Sequence, residues 1–312
     1  MRRMKPLYNG IQLNCTIVSD THIDEKHPMP WLPKWQLKRA LSDAQNSIAP
    51  VDAFITVGDT TSRSSKANWE LTLDCFKKYK PAKQILLAIG NHDTWNDDGF
   101  DAAITEYHRY YETICGEKRE KNYFSKAVNG YPMLFLGSDA DSGCEAEFSA
   151  EQLDWFAAEM QKAAATGKPI FVFCHQSING KHGLPVTWDA DDTPNDPMDG
   201  GIGPQSDAIE AIVKQYNNVY FFSGHSHMGL GGEDCLKKNG YASFEREGGL
   251  HLINLPSLAC GNHHGETSAT GIGLQLEVYA NKVILRPRSF ARHRWNKIIN
   301  IQNGKPYLEE TI

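Results

Sequence analysis

Apolar and polar positions divide this chain into two unlike parts. Up to about residue 222, short β-branched and apolar runs alternate with longer segments whose apolar residues recur at helical spacing. Residues 11–18, 53–57, 84–89, 132–136, 169–174 and 219–222 read as strands, and residues 35–48, 67–79, 100–114, 149–165 and 206–216 read as helices. The helix over 149–165 carries its own start signal, Ser149 followed three residues on by Gln152, the spacing of a capping box. From residue 241 onward the pattern is strand-like only: 241–244, 250–254, 273–279 and 283–287, with a hairpin turn expected at 279–283. The first part predicts an α/β fold with a largely parallel core sheet, and the second predicts a further, more antiparallel sheet. No repeat or linker interrupts the pattern, so a single domain over residues 1–312 is the simplest organisation.

Two stretches depart from it. Residues 176–205 hold Gly180, Gly183, Pro185, Gly200, Gly201, Gly203 and Pro204 among five aspartates between 189 and 199. A loop this long in a compact domain is expected to serve as a lid. Residues 290–312 read as a short C-terminal tail, and the chain around its start is locally basic through Arg286, Arg288, Arg292 and Arg294.

Composition narrows the classes. Of 312 residues, 40% are hydrophobic and 22% charged, which is ordinary for a globular protein, and the formal net charge is -6. That balance gives no general attraction to phosphate backbones, so an extended nucleic acid track is not expected. The seven cysteines form no Cys-x-x-Cys pair and read as reduced thiols, which points to the cytoplasm. The basic start, Met1 to Lys5, is followed by polar positions such as Asn9 and Gln12 rather than an apolar core, so no signal peptide is expected. No apolar run approaches the length of a membrane span, and no membrane association is expected.

Candidate chemistry lies at the strand ends. Asp20-Thr21-His22, Gly58-Asp59, Gly90-Asn91-His92-Asp93, Cys174-His175 and Gly224-His225-Ser226-His227 almost all follow strand-like runs. Side chains at the carboxyl ends of neighbouring strands converge on one crevice. In extended chain Asp20 and His22 point the same way, as do His225 and His227, so each pair can chelate from one side. A pool of carboxylate, amide and imidazole donors suits Mn, Fe or Zn. Seven candidate ligands (Asp20, His22, Asp59, Asn91, His175, His225 and His227) oversupply one catalytic ion, which needs about three. Two ions sharing Asp59 accommodate them all. Taken singly, Asp-x-His or Gly-Asp is a common loop sequence, and Gly-Asn-His-Asp is also a plain turn sequence. The five in order are not.

In that order the segments resemble the calcineurin-like metallophosphoesterase superfamily over about residues 13–260, with further echoes at Leu136-Gly137-Ser138-Asp139 and Asn254-Leu255-Pro256-Ser257. The latter and the overall length look most like its bacterial phosphodiesterase-type members. The resemblance implies a two-sheet β sandwich flanked by helices, four layers in the order αββα. It implies that Asp20, His22, Asp59 and His227 hold one ion and that Asp59, Asn91, His175 and His225 hold the other. Metal-bound hydroxide would attack phosphorus in line. His92 would protonate or steady the leaving oxygen, with Asp93 orienting its ring. Arg63, four residues after the ligand Asp59, and His263 are candidate substrate contacts. The implied substrate is a small phosphoester, possibly a nucleotide, and the expected activity is phosphodiester hydrolysis. The alternatives are a phosphomonoesterase or protein phosphatase, a nuclease, or a scaffold that binds metal without catalysis. Oligomeric state is left open.

Overall fold

A computed structural model describes residues 3–188 and 200–312. The chain runs β1 (Leu13–Val18), α1 (Trp31–Gln45), β2 (Ala53–Val57), α2 (Lys66–Lys77), β3 (Gln84–Ala88), α3 (Phe100–Cys115), β4 (Phe124–Val128), β5 (Tyr131–Phe135), α4 (Ala150–Ala164) and β6 (Ile170–Phe173). It continues with α5 (Ser206–Val213), β7 (Val219–Ser223), α6 (Glu233–Asn239), β8 (Phe244–Glu247), β9 (Leu250–Asn254), β10 (Ile272–Tyr279), β11 (Lys282–Ser289), β12 (Arg294–Trp295) and β13 (Leu308–Thr311). One sheet has the order β12-β11-β10-β1-β2-β3, with β13 also paired to β11, and the other has the order β4-β5-β6-β7-β9-β8. Both are mixed. The parallel parts are β1-β2-β3 and β5-β6-β7-β9.

The sheets pack face to face through one apolar core, and the outer helices complete the expected αββα order. Phe124, Phe135, Phe173 and Phe222 are register partners on four neighbouring strands, β4 to β7, and their rings stack at 4.3, 4.7 and 5.1 Å. They face the inner core, whereas Leu134, Val172 and Phe221, one residue out of phase, join a second core with Phe156 and Met160 of α4 and Ile209 of α5. Strands buried on both faces explain the continuous apolar runs in the sequence.

Several expectations change. The C-terminal strands do not form a sheet of their own. β10 pairs antiparallel with the free edge of β1, Leu13 opposite Val278, so the two ends of the chain close one sheet. The basic segment after residue 290 is likewise drawn in, β12 and β13 both pairing with β11. Helix α1 begins at Trp31 rather than near 35, because Pro33 falls in the first turn, where a missing N–H costs nothing. The strand expected at 241–244 lies instead at Phe244–Glu247, and β4 and α6 were not legible in the pattern.

The cap of α4 forms with a change of partner. Ser149 Oγ accepts from Gln152 N as expected. Gln152 does not return to the Ser149 amide, which donates to Asp139 Oδ2 at 3.1 Å. Its side chain instead bonds the backbone of Gly137 and Asp139 Oδ2, fixing the end of β5 to the helix.

Candidate metal centre

Five parallel strands, three in one sheet and two in the other, end at the same rim of the sandwich. Asp20 follows β1, Asp59 follows β2, Asn91 follows β3, His175 follows β6 and His225 follows β7. The loops are stitched together by their backbones: Asp20 N donates to Gly58 O, His22 N to Asp59 O and Gly224 N to His175 O. Among the bonds between the sheets, His175 Nδ1 donates to Val57 O at 2.7 Å, which leaves Nε2 facing the other ligands.

Close approach dictates the glycines. A Cβ at Gly58 would overlap the His175 ring, and one at Gly90 would overlap the Asp59 carboxylate. The ligands themselves carry strain. Asp20, His22, Asp59, His225 and His227 are left-handed, with φ of 54°, 45°, 48°, 65° and 46°. Each such residue costs roughly 1–3 kcal/mol, and such costs cluster at functional sites.

All seven expected ligands converge. Asp59 Oδ2 lies 3.1 Å from His175 Nε2 and 3.5 Å from His22 Nε2, and Asp20 Oδ1 lies 3.2 Å from His227 Nε2. His22 Nε2 and His227 Nε2 face each other at 3.1 Å. Groups of ligand atoms all within 4.8 Å of one another are His22, Asp59 and His92; Asp59, His175 and His225; and His22, His227 and Cys260. Asp59 and His22 each belong to two of them, and of these the carboxylate has two oxygens to share.

Electrostatics splits the imidazoles. Burial alone would raise the carboxyls of Asp20 and Asp59, but the surrounding imidazoles hold both below the usual range. Burial keeps His22 and His225 neutral, the form in which nitrogen can bind a cation. His175 is buried too, yet Asp59 and Asp20 push it up to about 9. Cys260 is pushed up to about 12 by burial and then by the charges of Asp20 and Asp59.

Whether these residues fit cations can be judged from their unmet valences. The buried side-chain oxygen and nitrogen of Asn91 and Nε2 of His225 have no hydrogen-bond partner, and Nε2 of His175 has only the Asp59 carboxylate at 3.1 Å. A buried polar atom without a partner costs about 1–3 kcal/mol, so several aimed at one spot call for something that binds lone pairs. The donor set fits divalent cations.

His92 stands beside this cluster. Its Nδ1 lies 2.9 Å from Ser62 O, and its ring packs on Trp95 and His22 at centroid distances of 4.1 and 4.6 Å. The carboxylate expected to orient it is engaged elsewhere. Asp93 accepts from the amides of Thr60, Thr61 and Gly90 and from Thr61 Oγ1, bracing the loop that carries Asp59. Burial, then the charge of Asp59, pushes its carboxyl up to about 6 against those bonds.

A crevice of about 170 Å³ opens over the centre, lined by Asp59, Asn91, His92, Cys144, Trp188, His225, Ser226, His227 and His263. His263 is placed there by backbone pairing, its amide donating to His227 O at 2.8 Å. Arg63 is outside this lining, exposed and 3.4 Å from exposed Asp97. His182 of the expected lid is buried away from it, with Nδ1 2.9 Å from Ala242 O. The lid's acidic stretch, 189–199, lies outside the described residues. Sequence reasoning missed Trp188, whose ring stacks on His225 at 4.5 Å, and Cys260. A Trp inside a Pro- and Gly-rich loop was the available signal for the first. The second lies three residues beyond the Asn254–Ser257 echo.

The fold recurs in known structures. A dimetal phosphatase from Danio rerio superposes with a TM-score of 0.55 at 10% identity, over 90% of this chain and 97% of its own. GAP50, the anchor in the inner membrane complex of Plasmodium, superposes with a TM-score of 0.53 at 10% identity, over 94% and 90%. At that identity the likeness is one of fold alone. A search among curated proteins finds no match. The sequence model of the calcineurin-like phosphoesterases matches residues 13–229.

Proposed function

The chain belongs to the calcineurin-like phosphoesterase family, and from that premise we propose that this metal-dependent phosphoesterase hydrolyses a small phosphodiester. The observation that carries the reading is the convergence of seven lone-pair donors, several without hydrogen-bond partners, beside a ring that is not needed as a ligand. We assign Asp20, His22, Asp59 and His227 to one ion and Asp59, Asn91, His175 and His225 to the other, each Mn, Fe or Zn. Such ions, when bound, supply Lewis-acid charge at phosphate oxygens and acidify water.

The chain's own residues do the rest. Ser62 O holds the proton of His92 on Nδ1, so Nε2 is the atom that gives a proton to the leaving oxygen or steadies it. Asp93 acts through the Asp59 loop as a positioning residue. Trp188 gives the crevice an aromatic wall, and His263 gives it a polar contact. Among the described residues this lining contains no Lys or Arg, which favours a diester with one phosphate charge over a monoester dianion. A nucleotide-derived diester has the chemistry to use both the metal centre and the aromatic wall. The seven cysteines, none of them in a disulfide, agree with a cytoplasmic protein.

The test is hydrolysis of bis-p-nitrophenyl phosphate against p-nitrophenyl phosphate by chelated protein with Mn²⁺ restored, with His92→Ala alongside. Faster diester turnover is expected, falling by about 10²–10⁴-fold in the variant while both ions stay bound. Monoester preference would move the assignment to a phosphatase. Two bound ions without turnover of either would favour a scaffold.

A further inference from the structure

Cys260 is bound to the metal centre through its backbone. The turn after β9 is tied to the chain that carries Asp20: Leu258 N donates to Ser19 O at 2.9 Å, and Ser257 Oγ donates to Asp20 O at 3.0 Å. Cys260 N in turn donates to Ser257 Oγ at 2.9 Å. The sulfur is therefore placed by the same residues that place the first ligand. Its position relative to the imidazoles is close: Sγ and one ring nitrogen each of His22 and His227 lie within 4.8 Å of one another.

We propose that Cys260 supplies a thiolate ligand to the ion held by Asp20, His22, Asp59 and His227. The proposal rests on the dinuclear reading given above and goes beyond it by making the two ion positions chemically unequal. One position would then offer only nitrogen and oxygen donors, from Asp59, Asn91, His175 and His225. The other adds sulfur to nitrogen and oxygen and selects for soft, thiophilic ions such as Zn²⁺, Cd²⁺ or iron over Mg²⁺ or Mn²⁺. The S–H proton passes to solvent as the ion binds, so one proton is released for the one sulfur–metal bond formed. Half-buried and anchored, Cys260 differs from Cys15 and Cys174, which lie buried among strand side chains and serve as core.

Cobalt provides a readout independent of turnover. Chelated protein is titrated with Co²⁺ and its near-ultraviolet spectrum recorded beside those of Cys260→Ser and Cys144→Ser. Wild type and Cys144→Ser are expected to show sulfur-to-cobalt charge transfer, and Cys260→Ser is expected to lose it while still binding two ions. The Cd²⁺ affinity of Cys260→Ser should fall by at least the roughly 10–100-fold that losing even an outer partner of a ligand costs, with Mn²⁺ affinity much less changed. Two bound cobalt ions without the charge-transfer band, or a band that survives in Cys260→Ser, would overturn the thiolate. Failure of wild type to bind cobalt at all would overturn the dinuclear reading itself, a separate result.

Discussion

Asp43 on α1 and Asp59 after β2 are both buried carboxylates, each 1% exposed, and each has basic groups beside it. Their surroundings differ in how valences are met. Asp43 accepts from Arg288 Nε at 2.7 Å, Arg288 Nη2 at 2.9 Å and His293 Nδ1 at 2.9 Å, so its oxygens meet donors. The cluster locks α1 against β11 and the turn that follows it. Around Asp59 the groups do not close on one another. His22 and His227 present nitrogen to nitrogen, Asn91 has no hydrogen-bond partner, and five of the seven converging residues are held in left-handed backbone. A buried cluster whose carboxylate oxygens are all met by donors is structural, even though Nε2 of His293 has no hydrogen-bond partner there. One that leaves lone pairs pointing at a common space is built around something that will be bound there.

Removing the central carboxylate of each cluster should separate these roles. Asp59→Asn is expected to lower diester turnover by at least about three orders of magnitude, the several kcal/mol that Lewis-acid charge supplies. It should also lose bound metal by elemental analysis. Above about pH 9, where His175 is neutral and its pairing with Asp59 no longer contributes, the chelated variant should unfold no more easily than the chelated parent, and a variant that kept both ions and its rate would end the comparison. Asp43→Asn should do the reverse. It leaves the fully buried Arg288 without its carboxylate partner, and breaking such a pair costs about 3–5 kcal/mol. Urea unfolding should show that loss while the folded fraction still binds two ions; a change under about 1 kcal/mol would mean that the cluster does not lock the fold.

The contrast also accounts for what could be read from the sequence. Asp20, His22, Asp59, Asn91, His175, His225 and His227 were legible because a strand followed by a polar donor is a local pattern, and parallel strands bring their ends together. The sandwich was legible for the same reason. The pairing of β10 with β1 was not, because nothing in residues 272–279 marks the edge it will meet some 260 positions away in sequence. β4 was missed because a short edge strand, exposed at alternate positions, has no continuous apolar run. Trp188 and Cys260 reach the centre from loops, by tertiary placement alone. The role of Asp93 was misjudged because an adjacent His and Asp suggest a pair, whereas three backbone amides at Thr60, Thr61 and Gly90 claim the carboxylate.

A subtler difference between the clusters should appear with pH. His175 is raised to about 9 in the fold, above its ordinary value of about 6.5. Its protonated form therefore stabilises the metal-free protein fully below about pH 6.5, and that contribution is lost as pH rises through about 9. An ion held by His175 would take the place of that proton. Thermal unfolding of chelated protein should show a melting temperature that falls between pH 6.5 and 9, and Mn²⁺ loading should flatten the fall. Equal slopes with and without metal would mean that His175 is not where proton and ion compete.

The smallest effect is expected at Arg63, which by sequence stood near a ligand and by structure stands outside the crevice. Its side chain is 55% exposed and its partner Asp97 80% exposed, at 3.4 Å. Exposed pairs of this kind contribute about 0–1 kcal/mol, because water screens both charges and the long side chain loses freedom in making the contact. Arg63→Ala should therefore change diester turnover by no more than about twofold and leave metal content intact. The same substitution measured with a monoester is the sharper version. A guanidinium that swings in to hold a dianion would show itself as a rise in KM for p-nitrophenyl phosphate alone, and that outcome would place Arg63 with the centre rather than with the solvent-facing surface.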